Sequence, residues 1–111
     1  MITIEELRAL GADVDTGLSR CLGNEALYLK LVGMGLGDAK FEELGVAVGS
    51  GDLVGAFELC HALKGVIGNL SLTPLYDALS EMTEKLRKQE AADYQTMYSN
   101  VIQIRSKFWK S

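Results

Sequence analysis

The sequence is poor in residues that interrupt helices and in residues that build catalytic clusters. It has one proline, Pro74, one histidine, His61, and two cysteines, Cys21 and Cys60. A single proline in 111 residues suits a helix-rich chain better than a loop-rich one. The cysteines form neither a CxxC nor a metal-spaced pair, and two thiols make no disulfide framework. Both are expected to be reduced and partly buried. No apolar run approaches the roughly 18 residues that cross a membrane. The opening Ile2-Thr3-Ile4-Glu5-Glu6 has no basic n-region or apolar h-region, so no signal peptide and a cytoplasmic location are expected. A basic excess is missing as well: 11 Lys and Arg face 15 Asp and Glu, a net charge of -4, which argues against a nucleic-acid binder. There is no Gly-x-x-x-x-Gly-Lys-[Ser/Thr] loop and no kinase signature, so the chain is not expected to use ATP itself. With a single histidine and no cluster of carboxylates, no metal or other cofactor is expected on this chain.

What is present is apolar residues at helical spacing. Hydrophobic residues make up 48% of the chain, enough for one core, and no linker, repeat or low-complexity tract divides it. A single domain over 1–111 is expected. Thr3 with Glu6 reads as a capping box that opens a short helix through Leu10, stopped by Gly11. A second short turn is expected over 15–22. Asn24 caps the next helix, on which Leu27, Leu31 and Met34 follow at helical spacing, and Gly37-Asp38 breaks it. Phe41, Leu44 and Val48 share a face over 38–48, Gly49-Ser50-Gly51 turns the chain, and Asp52 caps a helix over 53–70. Thr73 reads as the N-cap of a helix with Pro74 at its first position and Leu75, Leu79, Met82 and Leu86 as its stripe. Asp93 opens the last helix, striped by Tyr94, Met97, Val101, Ile104 and Phe108. Short connections make neighbouring helices antiparallel, so the expected fold is all-α: an up-and-down four-helix bundle with an additional short N-terminal helical segment.

The helix over 53–70 carries the chemistry. At about 100° per residue, Ala56, Leu59, Leu63, Val66, Ile67 and Leu70 gather on one face. His61 lies nearly opposite, with Phe57, Lys64, Gly65 and Gly68 as its neighbours on the outer face. A helix-interior glycine costs about 1 kcal/mol relative to alanine, so two of them beside one exposed histidine need a reason. Steric access supplies it: without a Cβ at Gly65 and Gly68, a phosphoryl group or a partner's backbone can come close to the imidazole. Lys64, three residues on, places a cation on the same face, which suits a phosphoryl group on the ring. A neutral imidazole nitrogen is a competent nucleophile toward phosphorus. Phe57 and Leu72 are expected as an exposed apolar rim for partner docking. Cys60 and His61 point about 100° apart and make no nucleophile–base dyad. Taken one at a time, a lone helical histidine is most often structural or solvated, and Lys64 a solvated lysine; the combination carries the functional reading.

The run His61-Ala62-Leu63-Lys64-Gly65, followed by Gly68-Asn69-Leu70, resembles the signature of histidine-containing phosphotransfer (HPt) domains. The turn at Gly51-Asp52, the segment Leu72-Thr73-Pro74-Leu75 and Asn24-Glu25-x-Leu27-Tyr28 are similar to the family as well. Ser71 departs from it at a position where glycine is frequent. The resemblance implies that His61 is phosphorylated on Nε2, that Lys64 is the helper cation and that Gly65 keeps the site open. It implies a stoichiometric carrier, not an enzyme, that exchanges a phosphoryl group with receiver-domain aspartates of response regulators or hybrid sensor kinases. Mg²⁺ would belong to the receiver. No nucleic-acid or membrane partner is expected, and the protein is expected to be a monomer. Two rival readings stand beside this one: an HPt-like bundle that docks a receiver without phosphotransfer, and a hydrolase or metal-dependent bundle.

Overall fold

A computed structural model of the chain describes residues 2–109. The single-domain expectation over 1–111 includes Met1, Lys110 and Ser111, which lie outside the described residues. Seven helices follow one another, with no strand among the described residues: α1 (Ile4–Ala9), α2 (Val14–Arg20), α3 (Glu25–Leu36), α4 (Lys40–Ser50), α5 (Leu53–Asn69), α6 (Thr73–Arg87) and α7 (Tyr94–Phe108). No helix among the described residues is long and apolar enough to cross a membrane.

Side-chain caps start most of these helices. The Thr3–Glu6 capping box opens α1, and Asp13, Asn24, Asp52 and Asp93 accept hydrogen bonds from the backbone N–H groups of Thr16, Leu27, Gly55 and Thr96 at the heads of α2, α3, α5 and α7. Each carboxylate or amide satisfies a donor that the first helical turn leaves unpaired. Gly51 ends α4 in the left-handed region at φ 76°, where a side chain would be strained. Gly49 and Ser50, expected in that turn, stay within α4. At α6 the cap differs from expectation. Leu72 is the N-cap residue with no side-chain hydrogen bond, Thr73 is already helical, and Pro74 sits in the first turn.

The heaviest packing is cyclic: α5 lies against α4 and α6, α6 against α7, and α7 against α4. Between them sit fully buried apolar side chains, among them Leu44, Leu63, Ile67, Leu75, Leu79 and Met82. Each such side chain contributes about 1.5–3 kcal/mol on removal from water. The helices α1, α2 and α3 form a chain of contacts from the N-terminus onto α5.

Two polar side chains fix how the layers meet. Tyr28 on α3 is fully buried, and its Oη donates a 2.7 Å hydrogen bond to Leu70 O at the end of α5. Arg105 on α7 is buried between the rings of Phe41 and Trp109, 4.4 and 4.3 Å from their centroids. Its Nε donates to Leu36 O at 2.7 Å and its Nη2 lies 3.6 Å from Glu42 Oε1, which ties α7 to the α3–α4 connection.

Helix α3 turns a different face inward from the one expected. Tyr28, Val32, Gly35 and Leu36 are buried, whereas Leu27 is 41% and Met34 63% exposed. The segment is apolar nearly all round, so spacing alone did not choose the face. The Tyr28–Leu70 hydrogen bond and the small volume of Gly17 and Gly35 choose it. A Cβ at Gly17 would lie 2.5 Å from the Tyr28 ring, and one at Gly35 2.5 Å from Leu70 Cδ1.

Candidate functional site

The site lies on the outer face of α5. Its buried face is Ala56, Cys60, Leu63 and Ile67, and His61 stands exposed on the other side. Cys60 points into the core. Its Sγ donates to Leu79 O at 3.4 Å and has Thr83 Oγ1 at 3.1 Å, and burial pushes the thiol up to about 11. The residue beside His61 is thus a protonated core thiol and takes no part in surface chemistry. Cys21 is buried as well, so both cysteines are more enclosed than their composition-level reading of partly buried thiols.

Side chains on a helix lean toward its N-terminus, so His61 leans over the preceding turn, where Phe57 sits. The two rings stack, with centroids 5.8 Å apart and planes 13° from parallel. Phe57 is half-buried, and the guanidinium of Arg87, at the end of α6, lies 5.8 Å from the same ring's centroid.

His61, Lys64, Gly65 and Gly68 line one open groove together with Arg20 and Asp77. The two glycines serve different ends. A Cβ at Gly65 would meet nothing within 4 Å, so that position is open space beside the imidazole. A Cβ at Gly68 would lie 2.9 Å from Tyr76 Cε1. Gly68 therefore makes room for the Tyr76 ring of α6; approach from outside at this point is limited by that ring.

Leu72 does not join an exposed rim. It is fully buried, because as the N-cap of α6 it sits where the chain reverses direction and its side chain turns into the core. The apolar side chains exposed near His61 come instead from the first turn of α5: Leu53 is 37% and Val54 69% exposed. With Phe57 and Arg87 they line a second depression on the N-terminal side of the histidine.

Arg20 was not singled out from the sequence. It reaches from the end of α2 to the C-terminus of α5, where its Nη1 donates to Gly68 O at 3.1 Å, Asn69 O at 3.0 Å and Ser71 Oγ at 3.2 Å. A cation among the last carbonyls of a helix complements both their unpaired acceptors and the negative end of the dipole. Ser71 has φ 60°, a left-handed conformation that glycine adopts more readily, and its hydroxyl is held by this arginine.

No group of three or more His, Cys, Asp or Glu side chains among the described residues is placed to hold a metal ion. The chain matches no family model, no curated protein and no solved structure. The site itself is an exposed imidazole with a stacked ring on one side, open space at a glycine on the other and a lysine in the same groove.

Proposed function

We propose that the protein is a histidine phosphotransfer protein of a multistep phosphorelay, carrying a phosphoryl group on His61 between receiver-domain aspartates. The observation that carries this reading is the exposed His61 imidazole with open space at Gly65 on the next turn and Lys64 in the same groove. On this reading the cyclic packing of α4, α5, α6 and α7 is an up-and-down four-helix bundle, and α1, α2 and α3 are its N-terminal segment.

The chemistry balances without a cofactor on this chain. The lone pair of the outer ring nitrogen, Nε2, forms a bond to phosphorus as the bond between phosphorus and the donor aspartate's oxygen breaks. The aspartate leaves as a carboxylate, and the three remaining phosphoryl oxygens travel with the phosphorus. The proton on Nδ1 stays, so the loaded ring is positively charged beside the phosphoryl group. Transfer onward reverses the step, and the neutral imidazole returns. Lys64 supplies a point charge that favours the anion on the ring and in the transition state. The receiver brings its own carboxylates and Mg²⁺ to the transferring group. The protein is thus a stoichiometric carrier, acting as a cytoplasmic monomer on response-regulator receivers or those of hybrid sensor kinases. Leu53 and Val54, with Phe57, take the docking role expected of Phe57 and Leu72.

The test is transfer from phosphorylated protein to a panel of purified receiver domains, with His61→Gln as control. Loss of phosphate from His61 with matching gain on a receiver supports the carrier. Phosphate that stays on the protein with every receiver, while those receivers bind it, supports instead a bundle that docks without transfer.

A further inference from the structure

An exposed imidazole on a helix turns freely about its terminal torsion, which is broad and weakly restrained. The His61 ring is not in that position. It lies on the Phe57 ring, 5.8 Å between centroids and 13° between planes. Phe57 is itself held: it is half-buried at the α5–α6 seam, and the Arg87 guanidinium lies 5.8 Å from its centroid. Glu84, one turn back on α6, lies 3.4 Å from the Arg87 Nη2.

We infer that Phe57 is a positioning residue for the reaction at His61: its ring fixes the plane of the imidazole, and Arg87 holds Phe57 in place. This rests on the phosphocarrier reading of His61. A near-parallel stack with 5.8 Å between centroids is offset, so Phe57 flanks the imidazole and leaves its outer edge free. Nε2 is the atom of that edge farthest from the backbone, so the nitrogen that bonds to phosphorus is presented outward. The opposite direction along the helix is the open one, because Gly65 adds no Cβ there. The ring is thereby walled on the Phe57 side and approachable from the Gly65 side. Ordering a nucleophile before the encounter removes a rotational cost from the transition state. An aromatic face also favours the positive charge the ring acquires when phosphorus bonds to it.

The experiment compares wild type, Phe57→Leu and Phe57→Tyr in two readouts. Leucine keeps apolar bulk without a ring face, and tyrosine restores the face. With one histidine in the chain, its ring protons are unambiguous in a proton NMR spectrum. The ring current of Phe57 is expected to displace them in wild type and in Phe57→Tyr, and not in Phe57→Leu. Phosphoramidate then loads His61 without any receiver: the N–P bond of the reagent breaks, ammonia leaves and the Nε2–P bond forms. Loading is expected to slow about two- to tenfold in Phe57→Leu, the range set by the strength of an aromatic pair, and to recover in Phe57→Tyr. A purely structural role would leave the ring-proton shifts and the tyrosine rescue unexplained, and circular dichroism confirms that each variant is folded. Equal loading rates in wild type and Phe57→Leu overturn the positioning role alone. Absence of loading in every variant overturns the phosphocarrier reading, and the positioning role with it.

Discussion

Gly68 lies beneath the ring of Tyr76, so close that a Cβ there would stand 2.9 Å from Tyr76 Cε1, whereas a Cβ on Gly65, one turn nearer to His61, would meet nothing. Two glycines in one short motif are therefore separable. Gly65→Gln is expected to gain up to about 1 kcal/mol of helix propensity and to raise the melting temperature. Gly68→Ala is expected to forfeit that gain, because the Tyr76 ring must shift off α5. Transfer to a receiver should fall steeply in Gly65→Gln and only mildly in Gly68→Ala. Thermal melts and transfer rates on the same two variants check both halves. Transfer at the wild-type rate in Gly65→Gln would count against steric access at that position.

The bond from Tyr28 Oη to Leu70 O ties α3 to the end of the functional helix at 2.7 Å. Tyr28→Phe keeps the ring and strands the carbonyl, at a cost of about 1–3 kcal/mol in urea unfolding. Burial pushes the Tyr28 phenol up to about 12. Its proton is held more tightly in the folded protein than in the unfolded chain, where a tyrosine ionises near 10. The contribution is complete below about pH 10 and is lost as the pH rises toward 12. The stability gap between wild type and Tyr28→Phe should therefore shrink across that window, and a constant gap would mean the phenol is not shielded.

Leu72 and Val54 make opposite predictions. Leu72 is fully buried, so Leu72→Ala should cost about 2–5 kcal/mol and act on receivers only through lost stability. Val54 is 69% exposed, and Val54→Ser should change stability by no more than about 0.5 kcal/mol while weakening receiver binding. Urea titrations and binding isotherms on the two variants distinguish a core residue from a docking residue.

Much of the functional helix is legible in the sequence. Asp52 could be read as a cap because aspartate accepts from a first-turn N–H. His61 could be placed outward because the apolar residues of 53–70 crowd the other side. Spacing failed where it carried no contrast. Helix α3 is apolar on nearly every face, and the long-range bond from Tyr28 to Leu70, with the room left at Gly17 and Gly35, selects the face that is buried. Leu72 misled because a leucine between two helices looks solvent-facing in one dimension, whereas the chain reversal at 70–72 turns it inward. Arg20 left no local signal, since its acceptors at Gly68, Asn69 and Ser71 lie about half the chain away. The unusual Ser71 was the nearest clue: a non-glycine residue at positive φ invites a partner, and Arg20 is that partner. Arg105 was hidden in the same way, because a basic residue on an amphipathic helix is read as exposed until a carbonyl and two aromatic rings are found around it.

The measurement that bears most directly on the central claim is the intact mass of the protein after incubation with phosphoramidate. The account predicts one added phosphoryl group, lost on brief acid treatment as expected of a phosphorus–nitrogen bond, and absent from a folded His61→Gln variant. No added mass, or an equal addition to His61→Gln, would contradict it.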